Sequence, residues 1–123
     1  SLPLLKNSNK LFFFDYLKSA KLKLEDLIHL IDDLNIVEFL ITDVQNEGAI
    51  YSSFDSTLID DKLFENISLI CNGGVNSLKI CEELLEKENV QAVVMGNKLN
   101  HSELSYKFFK NELSMKIKNK IRC

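Results

Sequence analysis

The run Ser68-Leu-Ile-Cys-Asn-Gly-Gly-Val-Asn-Ser77 closes an apolar segment on Asn72-Gly73-Gly74, and about twenty residues later Val93-Val-Met-Gly-Asn97 closes another on Gly96-Asn97. Each reads as a buried strand that stops at glycine with a helix soon after. Backbone N–H groups at such a strand end, with no Cβ to obstruct the approach, are how parallel α/β proteins hold a phosphate oxygen. The chemistry on offer is therefore main-chain binding of a small phosphorylated molecule by Gly73, Gly74, Gly96 and Asn97. The competing reading is structural: Gly73-Gly74 as a tight strand-to-helix turn, and Gly96 as a point of close packing.

Other candidates fall on the same expected rim. Thr42, Asp43, Gln45, Asn46, Glu47 and Gly48 follow one apolar strand and Asn72 ends the next. Of these, Thr42, Glu47, Gly48 and Asn72 are read as facing a substrate. Asp43, Glu47 and Asp55 each offer a carboxylate for proton transfer, since a half-closed rim can raise such a group toward neutrality; acids in such places are more often caps or solvated loop residues. Lys98 is either a point charge on phosphate or a solvent-facing lysine. His29 reads as a surface residue of an amphipathic helix, and His101 as a structural or capping residue before the last helix, because no Ser or Cys nucleophile is placed to work with it. No metal site and no cofactor is expected.

The elements that must position these residues alternate. Leu24, Leu27, Ile28, Ile31 and Leu34 recur at helical spacing with Glu25, Asp26, Asp32 and Asp33 opposite, predicting an amphipathic helix over 24–34. Val37 to Thr42 predicts a strand, Ser56 to Glu65 a short helix with Asp55 or Ser56 as N-cap, and Leu69 to Cys71 a strand. Leu78 to Lys87 predicts a helix capped by Ser77, Ala92 to Met95 a strand, and Ser102 to Lys116 a last helix. Upstream, Leu2 to Leu5 suggests a strand, and the aromatic run Lys10 to Leu17 one arm of a hairpin with Lys21 to Leu24. Strands that are apolar throughout are those buried on both faces, so parallel βαβ units are the economical fold.

Composition bounds the function classes. The 123 residues make one domain at most, enough for a single core and short for a complete barrel. A formal net charge of −3 gives no general attraction for nucleic acid or anionic membrane. The locally basic stretch from Lys107 to Arg122 reads as a solvated helix end. Cys71, Cys81 and Cys123 have no C-x-x-C spacing, which argues for core filler in a reducing cytosol. No apolar run approaches the ~20 residues needed to cross a bilayer and no leader is recognisable, so a cytoplasmic location is expected. The chain opens on Ser1 and reads as a processed, tagged or truncated piece of something longer.

Leu40-Ile-Thr-Asp-Val-Gln-Asn-Glu-Gly48, Phe54-Asp55, Ile70-Cys-Asn-Gly-Gly-Val-Asn-Ser77 and Val94-Met-Gly-Asn-Lys-Leu-Asn-His-Ser-Glu103 together resemble the second half of the cyclase subunit of imidazole glycerol phosphate synthase. The resemblance covers nearly the whole chain and is most specific from Val37 to Glu103. It implies four βα units forming the C-terminal half of a (β/α)₈ TIM barrel, residues 1–123 being a single partial domain whose N-terminal half is missing or on another chain. It implies that Gly73, Gly74, Gly96 and Asn97 hold phosphate. The family takes ammonia from a docked glutamine amidotransferase (glutaminase) subunit and uses it to split and cyclise a phosphorylated ribonucleotide in histidine biosynthesis, with one aspartate from each half of the barrel as acid and base.

Two departures bear on that activity. The family aspartate of this half follows a strand of the type Ser-Ile-Asp-Val-Lys-Lys, and Ser1-Leu-Pro-Leu-Leu-Lys6 carries Pro3 at that place. Gln45 stands where an acid is usual, and Glu47 replaces a shorter one. Loss of a positioned acid or base costs about 10²- to 10⁴-fold in rate. The alternative is therefore a catalytically impaired paralogue, a phosphate-binding scaffold for a glutaminase, for example in surface-sugar amidation. Half a barrel also leaves open strand edges. The chain alone is expected to be poorly soluble or to self-associate edge to edge; a monodisperse monomer in dilute sedimentation runs would count against this.

Overall fold

A turn at Ser8 and Asn9, with φ of 48° and 62°, folds Lys10–Asp15 (β2) back on Leu2–Asn7 (β1), pairing Asn7 with Lys10. Two successive left-handed residues match the right-handed twist of the flanking strands, and Asn tolerates that conformation better than most. At the next turn Asp15 Oδ1 accepts the N–H groups of Leu17 (3.0 Å) and Lys18 (3.2 Å), and Ala20–Lys23 (β3) returns antiparallel to β2. The aromatic segment is thus one arm of a hairpin with β3, as its sequence predicts, and it pairs with β1 on its other side. The computed structural model describes residues 1–27, 35–49, 51–96, 107 and 110–113.

Three further strands, Glu38–Asp43 (β4), Ser68–Asn72 (β5) and Val90–Val93 (β6), run parallel to β1, and the six-stranded sheet has the order β3-β2-β1-β4-β5-β6. The architecture is mixed α/β. It departs from the four βα units expected of a half (β/α)₈ barrel: the antiparallel hairpin lies between β1 and β4, two short 3-10 turns lie between β4 and β5, and an α-helix, Leu78–Leu85 (α1), joins β5 to β6.

Each difference from the expected elements has a local cause. The predicted helix over 56–65 is instead two 3-10 turns, Ser56–Ile59 and Lys62–Phe64, because Asp55 and Asp61 each draw a backbone N–H two residues on (Thr57 and Leu63, both 3.0 Å) and so restart the chain. The last predicted strand begins two residues early. Leu69 pairs with Val90 and Ile70 with Ala92, leaving Gln91 as the extra residue of a bulge that absorbs a polar side chain. Of the amphipathic segment over 24–34, Leu24–Leu27 forms a 3-10 turn and 28–34 lies outside the described residues. In the predicted last helix, 110–113 is helical and most of the remainder lies outside them.

Helix α1 begins and is capped where predicted and ends two residues earlier, at Leu85. Ser77 is extended (φ −147°) and its Oγ accepts the Ile80 N–H, while Ile80, Cys81, Leu84 and Leu85 form one buried stripe. That stripe packs with Leu58, Ile59 and Phe64 against Leu2, Leu4, Phe39, Ile41, Leu69, Cys71 and Val90 of the sheet. Phe39 and Phe64 meet edge to face at 6.4 Å. On alternate positions Pro3 and Leu5 are buried outside this cluster, with Leu40, Ile70 and Ala92 half-buried in the neighbouring strands. Pro3 stands inside a strand with neighbours on both sides, a position that normally excludes proline. The β1–β2 ladder begins only at Leu4, so the N–H that Pro3 lacks is not asked for there.

Candidate functional site

The parallel strands bring their C-terminal ends to one edge: Asp43 on β4, Asn72 on β5 and Val93 on β6. Thr42 and Asn72 are register partners, and the Asn72 side-chain amide donates to Thr42 Oγ1 at 3.3 Å. Thr42 is buried, and Asn72 is half-buried beside it. These two substrate-side candidates therefore meet at the edge.

Asp43 is 1% exposed and its carboxylate is fully engaged. Oδ1 accepts the N–H groups of Gln45 (3.1 Å) and Asn46 (3.2 Å), and Oδ2 accepts the Asn46 side-chain amide (2.7 Å) and the Asp55 N–H (2.9 Å). An ionised carboxylate offers about four acceptor positions, and here four donors take them. Asp43 thus joins the loop over 44–49 to the segment leading out of it, as a fastening and not as a free acid. Asp55 is committed in the same manner: its Oδ1 accepts the Thr57 N–H (3.0 Å) and hydroxyl (2.6 Å). It is the N-cap that the sequence allows for.

Glu47 is exposed, and its Oε2 accepts the Tyr16 hydroxyl at 3.2 Å; the Tyr16 ring stacks edge to face on Phe14 at 5.0 Å. Partial burial, and then the Glu47 charge and hydrogen bond, raise the Tyr16 phenol above its ordinary value of 10.0. Gln45 also has a structural task, since its Oε1 accepts the Lys6 N–H (3.1 Å) and fastens the end of β1 to the loop. Lys6 itself donates to Thr57 Oγ1 at 2.7 Å. Sequence reasoning passed over Lys6 as a strand terminus. The available signal was a lone cation directly after Leu4-Leu5, which parallel pairing carries to the same edge as the glycines.

The glycines separate into two kinds. Gly73 has φ +87°, and a Cβ there would stand 2.6 Å from the Asp43 carbonyl oxygen. Gly74 has φ +74°, and a Cβ would meet Phe54 N at 2.7 Å and Asn46 Cβ at 2.8 Å. The structural reading of this pair is therefore satisfied: β5 can leave the sheet against β4 only without side chains. The Gly74 carbonyl accepts the Phe54 N–H (3.0 Å), and Asn76 Nδ2 donates to the Ser52 carbonyl (2.7 Å), holding the 52–54 segment over the turn. Yet no acceptor among the described residues takes the N–H of Gly73 or Gly74. Gly96 lies three residues past the end of β6, exposed and with open space where a Cβ would be. Gly48 lies in the loop after β4, exposed and with φ +73°. Asn97, Lys98, His29 and His101 lie outside the described residues.

Cys71 and Cys81 are buried in the core, where desolvation pushes their thiols up to about 12 and about 11. Neither is an activated nucleophile. Among the described residues, no cluster of three or more His, Cys, Asp or Glu side chains is arranged to hold a metal ion, and no helix is long and apolar enough to cross a membrane.

Gly73→Ala is expected to lose about 2–4 kcal/mol in urea unfolding, from the left-handed backbone and the contact with Asp43, whereas Gly96→Ala should stay within about 0.5 kcal/mol of the parent. Equal effects at the two positions would refute the distinction. The Tyr16 phenol has a higher value folded than unfolded, so its contact with Glu47 contributes below pH ~10 and is lost as pH rises through the folded value. In a Tyr51→Phe, Tyr106→Phe background, ultraviolet titration should place Tyr16 ionisation above pH ~10, and Glu47→Gln should bring it down; no shift in that variant would remove Glu47 as a cause and leave burial alone.

No protein-family model matches this chain, and no curated protein matches it.

Proposed function

We propose that this chain is a phosphate-binding half-barrel related to the cyclase subunit of imidazole glycerol phosphate synthase, which takes a phosphorylated ribonucleotide-like ligand at the glycine end of β5. The observation that carries the reading is the Gly73-Gly74 turn: two successive left-handed residues whose N–H groups have no acceptor among the described residues, at the same sheet edge as Thr42 and Asn72. Such N–H pairs form concave anion sites. The proposed partners are an upstream half-barrel and a glutamine amidotransferase that supplies ammonia.

Within this reading the scaffold form has its own support. Pro3 occupies the place of one acid and is buried, Asp43 spends its carboxylate on four donors, and Asp55 caps a turn. The acid left on the loop, Glu47, is hydrogen-bonded to Tyr16. A catalytically impaired protein that holds a phosphorylated ligand and a glutaminase is consistent with those commitments. Ammonia-dependent cyclase turnover would need the second aspartate from elsewhere.

The test joins the chain to an upstream half-barrel and assays ammonia-dependent turnover of the ribonucleotide, while following the Gly73 and Gly96 amides by NMR during a phosphate titration. Saturable shifts at those amides with turnover support the cyclase. Shifts without turnover support the scaffold. The absence of shifts overturns the phosphate reading.

A further inference from the structure

We propose that Asp43 is the positioning residue of the glycine turn: an internal carboxylate that fills the anion nest at the end of β4 and, by fixing Asp55 and Asn46, sets the conformation in which Gly73 and Gly74 present their N–H groups. The inference deepens the phosphate reading and rests on it for the ligand, though its structural half stands alone.

Three backbone N–H groups, those of Gln45, Asn46 and Asp55, converge on the Asp43 carboxylate together with the Asn46 amide. Convergent main-chain donors of this kind are what an external anion would otherwise find. Here the chain's own buried carboxylate occupies them, so an external anion is directed past β4 to the donors of the turn after β5. The same carboxylate controls those donors through two short paths. Along one, Asp55 N–H is held at 2.9 Å, and its neighbour Phe54 donates to the Gly74 carbonyl at 3.0 Å. Along the other, the Asn46 amide is held at 2.7 Å, keeping Asn46 Cβ where a Cβ on Gly74 would meet it at 2.8 Å. Gly73 lies against the Asp43 main chain itself. The turn is thus confined on both sides by groups that Asp43 fastens.

The variant that isolates this role is Asp43→Asn, which keeps the size, leaves one oxygen for Gln45 and Asn46, and turns an NH₂ toward Asp55 N–H and the Asn46 amide. Hydrogen exchange of the Phe54 amide should accelerate about tenfold or more relative to the Leu69 amide within β5, the consequence of losing the charge-assisted hydrogen bonds from Asp55 N–H and the Asn46 amide. Phosphate affinity read at the Gly73 and Gly74 amides should fall by a similar factor. Leu84→Ala, a core truncation remote from the turn, is the control: it lowers global stability and should leave phosphate affinity unchanged. If Asp43→Asn does not fold, Asn46→Ala, which removes a single donor, should give a smaller acceleration in the same direction.

Unchanged Phe54 exchange in the variants overturns the positioning role. Phosphate bound equally by Asp43→Asn also overturns it, as does tighter binding, which would show that the carboxylate only repels the anion. If the parent protein shows no phosphate shifts while the exchange result holds, the phosphate reading fails and the positioning of the turn stands.

Discussion

At the end of β4 the chain has to leave the sheet, cross the core with a 3-10 turn and stay clear of the neighbouring strand, and the Asp43 carboxylate is where these demands meet. A buried carboxylate without partners would be strongly unfavourable, but one that accepts four hydrogen bonds becomes a rigid node. Leu58, Ile59 and Phe64 then fall onto the sheet because the segment that carries them is fastened at its start. The absence of side chains at Gly73 and Gly74 is the counterpart of that node, since the strand beside it must pass within contact of the Asp43 main chain.

Much of the frame was legible from side-chain pattern. Strands β4 and β5, helix α1 with its Ser77 cap, and the aromatic hairpin follow from apolar runs, a capping residue and turn chemistry, all of which act over a few residues. The boundaries that moved did so through longer reach. The strand expected from Ala92 begins at Val90 because pairing with Leu69 and Ile70 accommodates Gln91 as a bulge, and two aspartates six residues apart convert one expected helix into two separate turns.

At this edge of the sheet, the Asp55 cap and the Gly73-Gly74 turn were legible in the sequence, and the task of Asp43 was not. Asp43 is an acid between an apolar strand and a polar loop, and nothing within its own segment says that Asp55, twelve residues on, will supply a fourth donor. Gly73 and Gly74 are required by packing, and no acceptor among the described residues takes their N–H groups. Lys6 and Gln45 are joined only because β1 and β4 pair in parallel, a relation between segments about forty residues apart.

The two flanks of the sheet differ in character. On β3, Lys21 and Lys23 are both exposed and point to the same side, so a second such flank laid alongside would crowd ammonium groups together. On β6 a four-residue segment, kinked by its extra residue, carries no charged side chain. Like charge therefore guards the sheet against edge-to-edge growth where it is antiparallel, and β6 carries no such guard among its own side chains, which gives any growth of the sheet a direction.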